Sequence, residues 1–178
     1  MKAVVIYNSK TGFTKQYAQW ISAEVKCDCV SLEGVERISL KDYDTVVFGS
    51  WFHAGRIQKL SWLFEQLKKD MSKNYIVFAV GASPSDYPEV KTAMERNIPK
   101  NSVIKSFYLP GGLNYDKLGI TARIMLKIYS TMLKRSKDST PEQIKAGEMM
   151  SKSYDISDRK YIIPIVRCIF SFNSDNRS

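Results

Sequence analysis

Three short apolar runs, none of them alternating with polar residues, constrain this chain most. Val4-Val5-Ile6 lies within Lys2–Tyr7, Val46-Val47-Phe48 within Asp44–Gly49, and Ile76-Val77-Phe78-Ala79-Val80 within Tyr75–Gly81. A strand with one wet face alternates; a continuous run belongs to a strand buried on both faces, as in a parallel sheet. Between the runs, apolar residues recur at helical spacing. Tyr17, Ala18, Ile21 and Val25 do so within Thr14–Val25, and Leu60, Leu63, Phe64 and Leu67 within Ile57–Met71. Tyr87–Asn97 reads as a further helix, Val30–Leu32 as a weak strand and Val103–Leu109 as another strand. Strand and helix in alternation predict an open α/β sheet with helices on both faces and few permitted topologies. Ligands in such sheets sit beyond the carboxyl ends of the strands, so the turns after Tyr7, Gly49 and Gly81 are where a site is expected.

The 178 residues fit one domain, expected to span 1–178. With 44% hydrophobic and 25% charged residues, disorder is excluded as a class. Three cysteines cannot make a disulfide framework, and a single histidine cannot build a His-rich metal site, so no metal is expected. No apolar run approaches the roughly 18–20 residues of a spanning helix, and the first residues lack a signal peptide's pattern. The expectation is a soluble, cytoplasmic protein. Lys and Arg number 27 against 18 Asp and Glu, a net charge of +9. Such a surface either favours anionic partners or is merely solvated.

Asn8-Ser9-Lys10-Thr11-Gly12-Phe13-Thr14 joins the first strand to the first helix. Three hydroxyls, at Ser9, Thr11 and Thr14, converge there with the free N–H groups of a helix start, where the dipole favours an anion. A helix cap needs one hydroxyl; a phosphate uses several. The turn lacks Gly-x-x-x-x-Gly-Lys-Ser/Thr and Gly-x-Gly-x-x-Gly, which argues against a Walker-type nucleotide and a dinucleotide.

Ser9-x-Thr11-Gly12-x-Thr14 after an apolar strand resembles the phosphate loop of the flavodoxins, and the likeness extends over roughly Met1–Leu109. It implies an open five-stranded parallel sheet in the order 2-1-3-4-5 and flavin mononucleotide (FMN) as cofactor. Cofactor-binding residues implied are Ser9, Lys10, Thr11, Gly12, Phe13 and Thr14 for the phosphate. Ser50, Trp51, Phe52, His53, Ala54 and Gly55 would cover one face of the ring, and Gly81, Ala82, Ser83, Pro84 and Tyr87 the other side. Trp51 and Phe52, read as loop aromatics, are suited to stacking on a flat apolar ring. His53, the sole histidine, is either an idle loop residue or a proton donor and acceptor. Tyr43–Ser50, Phe107–Tyr115 and Asp155–Tyr161 resemble the flavodoxin-domain group that contains menaquinone-dependent protoporphyrinogen oxidase. That likeness implies an FMN-dependent oxidoreductase taking hydrogen equivalents from a porphyrinogen and passing them to a quinone. The chain departs from that pattern before Gly55, where it carries His53 and Ala54.

From Leu113 to Lys137 six basic residues face one acid, Asp116. Leu118, Ile124, Met125, Ile128, Tyr129, Met132 and Leu133 are interleaved at helical spacing. This basic amphipathic segment, 113–137, either covers the sheet or lies on an anionic membrane, at the inner membrane face, or a large apolar substrate. Thr140-Pro141-Glu142 reads as the start of one more helix. No nucleic acid is expected as a partner. Two other readings stand beside the oxidoreductase: a flavodoxin-type electron-transfer protein working with a redox protein, and a flavodoxin-fold binding or regulatory protein.

Overall fold

The continuous apolar runs become the central strands. The computed structural model describes residues 2–135, 140, 144, 147–149 and 152–175. Two compact units divide it: Met1–Gly111 with Ser157–Ser178, and Gly112–Ile156.

In the first unit, β1 (Ala3–Asn8), α1 (Phe13–Val25), β2 (Asp28–Ser31), β3 (Thr45–His53), β4 (Arg56–Ile57), α2 (Leu60–Lys69), β5 (Asn74–Gly81), α3 (Pro88–Asn97) and β6 (Lys105–Pro110) follow one another. The parallel sheet runs β2-β1-β3-β5-β6, with β4 attached only to β3 as an antiparallel hairpin partner. Setting β4 aside, this is the expected 2-1-3-4-5 order. Register places the strand ends together, with Tyr7 opposite Gly49, Asn8 opposite Ser50 and Gly81 opposite Pro110.

Period-two alternation sorts the strand residues onto two faces. Val4, Ile6, Val46, Phe48 and Val77 pack with Leu60, Leu63, Val90 and Met94 of α2 and α3. Ala3, Val5, Val47, Ile76 and Phe78 pack with Tyr17, Ala18 and Ile21 of α1. Each fully buried Val, Ile or Phe contributes about 1.5–3 kcal/mol of transfer free energy. Gly49 is a packing requirement: a Cβ there would lie 2.0 Å from Cζ of Phe78, its cross-strand partner.

Covering the α1 face is completed by a helix that the spacing did not predict. Its residues, Ile163–Asp175, lie after the second unit and form the chain's last helix. A 3₁₀ turn over Arg159–Ile162 leads in, and Ile162, Ile165, Val166 and Ile169 join the core. The apolar Ile169–Phe172 stretch is thus helical, and the sheet takes its last cover from here.

The second unit contains β7 (Gly112–Leu113), a 3₁₀ turn (Tyr115–Lys117), α4 (Ile120–Arg135) and β8 (Tyr154–Asp155). Its short ribbon pairs Gly112 with Asp155 and Leu113 with Tyr154. The final helix of the chain, Ile163–Asp175, is α5 below. Pro141 and Glu142, expected to open a helix, lie outside the described residues.

Candidate functional site

Asn8, the last residue of β1, donates from Nδ2 to Oγ of Ser50 at 3.1 Å, joining the carboxyl ends of β1 and β3. Beyond it the chain turns tightly. Ser9 Oγ accepts the N–H of Gly12 at 3.2 Å, and Gly12 has φ of +109°, a conformation that L side chains rarely adopt. Nothing lies within 4 Å of where a Cβ of Gly12 would be, so glycine is required there by conformation and not by crowding. As the N-cap of α1 it has no side chain to satisfy the first-turn N–H groups, which therefore face the turn uncapped.

Thr14, in that first turn, is only 2% exposed, and its hydroxyl has no hydrogen-bond partner among the described residues. A buried unsatisfied hydroxyl costs about 1–3 kcal/mol, a cost that an oxyanion accepting its hydrogen would remove. Thr11 and Ser9 are half-buried beside it, and Lys10 is exposed. Phe13 packs with the α1-side core, its Cβ 3.2 Å from where a Cβ of Gly111 would be.

The stretch expected as a loop after Gly49 is instead strand. β3 continues through Trp51 and Phe52 to His53, then returns as β4, pairing Phe52 with Ile57 and His53 with Arg56. Aromatic side chains favour the pleated surface, and the two-residue turn needs positive φ at both positions, as in a type I′ hairpin. Ala54 (φ +48°) and Gly55 (φ +74°) supply it. Alternation then separates the two aromatics. Trp51 shares a face with His53, their rings 5.4 Å apart, and Lys10 Nζ sits 5.0 Å from the Trp51 ring centroid. Phe52 faces the other way into the α2/α3 core, edge-on to Tyr108 at 6.0 Å. Trp51 is half-buried and His53 exposed.

Asn97, at the end of α3, fastens this hairpin. Its Oδ1 accepts the Ile57 N–H at 3.0 Å, while Nδ2 donates to the Gly55 carbonyl at 2.8 Å and to Ala93 O at 2.7 Å. Tyr108 does similar work for the third turn. Its hydroxyl donates to Ser83 O at 2.8 Å, and its ring crosses the strand end so closely that a Cβ on Gly81 would lie 2.3 Å from Oη. The Gly111 N–H reaches Gly81 O at 2.7 Å. Ala82, Ser83 and Pro84 are half-buried; Tyr87 packs against the α2/α3 core and leads into Pro88 at the start of α3.

The three turns therefore form one connected rim, through Asn8–Ser50 and Lys10–Trp51 on one side and Phe52–Tyr108–Ser83 on the other. Beneath it the buried Tyr17 hydroxyl donates to Pro110 O at 2.5 Å and accepts the Asp158 N–H at 3.1 Å. Asp158 is held below the usual carboxylate range by the Lys160 backbone N–H and then by its side chain. Asn97, Tyr108 and Tyr17 were not among the residues expected from sequence. Their partners lie 42, 25 and 93 positions away along the chain. Among the described residues no group of His, Cys, Asp and Glu could hold a metal ion.

This rim at the carboxyl edge of a 2-1-3-4-5 parallel sheet is what defines the class. The chain belongs to the flavodoxin domain family, whose sequence pattern matches residues 4–140. A flavodoxin from the domain Archaea is 19% identical, covering 66% of this chain and 89% of its own with a TM-score of 0.38. Oxidised flavodoxin 2 from Bacillus cereus is 19% identical, covering 62% of this chain and 86% of its own at 0.41. Rubredoxin oxygen:oxidoreductase from Desulfovibrio gigas is 12% identical, covering 94% of this chain and 36% of its own at 0.44. No curated protein matches the sequence.

Proposed function

We propose that the rim binds FMN and that the protein is an FMN-dependent oxidoreductase. The observation that carries this reading is Thr14: a buried hydroxyl without a partner, behind a glycine that leaves a helix start uncapped. Ser9, Thr11 and Thr14 would donate hydroxyl hydrogens to the phosphate together with the first-turn N–H groups, in the field of the α1 dipole. Trp51 would lie against the ring system, and the backbone of Gly81–Pro84 would meet its polar edge. FMN held there supplies transfer of hydride or of single electrons; the chain's part is to bind, orient and exclude water. Asn97 and Tyr108 hold the hairpin and the third turn in place, so that the site is largely formed before a ligand arrives.

The finer reading is a dehydrogenase that takes hydrogen equivalents from a porphyrinogen and passes them to a quinone. It is supported by two of the three stretches that carried the resemblance, Phe107–Tyr115 and Asp155–Tyr161, which meet in the β7–β8 ribbon. The surplus of Lys and Arg suits a substrate bearing carboxylates. The test begins with an absorbance spectrum of the purified protein with and without added FMN. Flavin bands followed by turnover of a porphyrinogen with a quinone support the reading. Bands with fast one-electron exchange but no turnover would instead assign an electron shuttle, and a colourless protein that takes up no FMN would assign a binding protein.

A further inference from the structure

We infer that α4 docks the protein on an anionic lipid bilayer, lying in the plane of the interface. This is independent of the flavin reading. Ile120, Met125, Met132, Ile128, Ile124 and Tyr129 are 76, 70, 63, 56, 53 and 49% exposed. The series Ile120, Ile124, Ile128, Met132 recurs every fourth residue, and Met125 and Tyr129 adjoin it, so the six form one continuous band along a helix of about 24 Å. The opposite side is the packed one: Ser130 is 4% exposed, and a Cβ on Gly147 would lie 3.3 Å from Leu133 Cδ1 and 3.5 Å from Ser130 Cα.

Charge decides what the band meets. The helix carries Arg123, Lys127, Lys134 and Arg135 and no acid. Arg123 is occupied, its guanidinium bonded to the Leu118 and Asp116 carbonyls, and Lys134 reaches Glu148 at 3.8 Å. Lys127 and Arg135 have no acidic partner among the described residues, and with Ile124, Ile128, Thr131 and Met132 they line a shallow groove of about 670 Å³. Two cations beside an apolar band match a surface that is negative at its headgroups and apolar beneath. A second copy is disfavoured, because apposed α4 helices would bring Lys127 and Arg135 against like charges, and α4 itself carries no acid to offset them. No described helix is long and apolar enough to cross a membrane, so α4 would lie on the bilayer and not span it.

The full chain should sediment with vesicles containing phosphatidylglycerol and stay behind with pure phosphatidylcholine. The double variant Lys127→Glu/Arg135→Glu should lower the bound fraction by roughly tenfold or more, as expected for charges near an anionic surface. Ile124→Ser/Ile128→Ser/Met132→Ser should weaken binding as much, while circular dichroism stays unchanged because all three positions are exposed. The proposal is overturned if the unaltered protein never sediments, if both variants bind as it does, or if gel filtration shows a dimer that the serine variant dissolves.

Discussion

The two ends of the sheet in the first unit differ in a way that size alone would misjudge. At the amino ends of the strands, Lys2, Ala3, Cys27, Asp28, Asp44 and Phe170 line a groove of about 750 Å³. Its polar groups answer one another. The Lys2 N–H donates to Asp44 at 2.7 Å, the Tyr43 hydroxyl donates to Asp28 at 2.7 Å, and Lys2 Nζ lies 4.0 Å from Asp28. Burial pushes the Cys27 thiol up to about 12, with help from Cys29 and Asp28, which makes it a poor nucleophile. The carboxyl end has the opposite character, with a buried hydroxyl, an uncapped helix start and positive-φ turns held by distant side chains. A room whose donors and acceptors are already paired has little to offer a polar ligand. Unsatisfied donors behind a rigid rim do.

Substitutions at the two ends sharpen this contrast. Gly49→Ala, which drives a Cβ into Phe78 beneath the rim, should destabilise by about 3 kcal/mol or prevent folding, read from urea denaturation. Thr14→Val should weaken FMN by roughly tenfold while leaving riboflavin unchanged, and should stabilise the protein without ligand by about 1 kcal/mol, because an orphaned hydroxyl is gone. Calorimetric titration and thermal melts check the two halves; a Thr14 hydroxyl that is satisfied internally would reverse the sign of the second.

Smaller effects follow. Asn97→Ala leaves the Ile57 N–H and the Gly55 carbonyl without their partner and should cost about 1–2 kcal/mol, with faster amide exchange confined to the hairpin. At the amino end the effect is one of pH. Cys27 and Tyr43 both titrate near 12 when folded, Tyr43 because its hydroxyl is bonded to Asp28. Their folded values are raised, so between the ordinary values and about 12 the unfolded chain loses protons that the folded chain keeps. Stability is full below that window and falls as pH rises through it. Cys27→Ala/Tyr43→Phe should flatten the alkaline limb, whereas Thr14→Val should not.

The sheet was legible because Val4–Ile6, Val46–Phe48 and Ile76–Val80 are buried on both faces, and such runs have few other uses. The turn after β1 was legible as a candidate site because its hydroxyls and glycine lie within one short stretch. The hairpin was not. Its turn residue Ala54 takes a positive φ that alanine does not advertise, so Trp51–Gly55 reads as loop. Asn97 and Tyr108 were invisible because their roles are set by partners far along the chain. α5 was missed because its apolar residues look like a tail until a sheet face left open by α1 calls for them. That same gap had made 113–137 a candidate sheet cover.

Phosphorus NMR of FMN with the protein tests the central claim most directly. Gripped by Ser9, Thr11, Thr14 and the α1 start, the monoester resonance should shift, broaden and stop titrating near its free second pKa of about 6. A sharp signal that titrates as free FMN does, with protein in excess, would contradict the account.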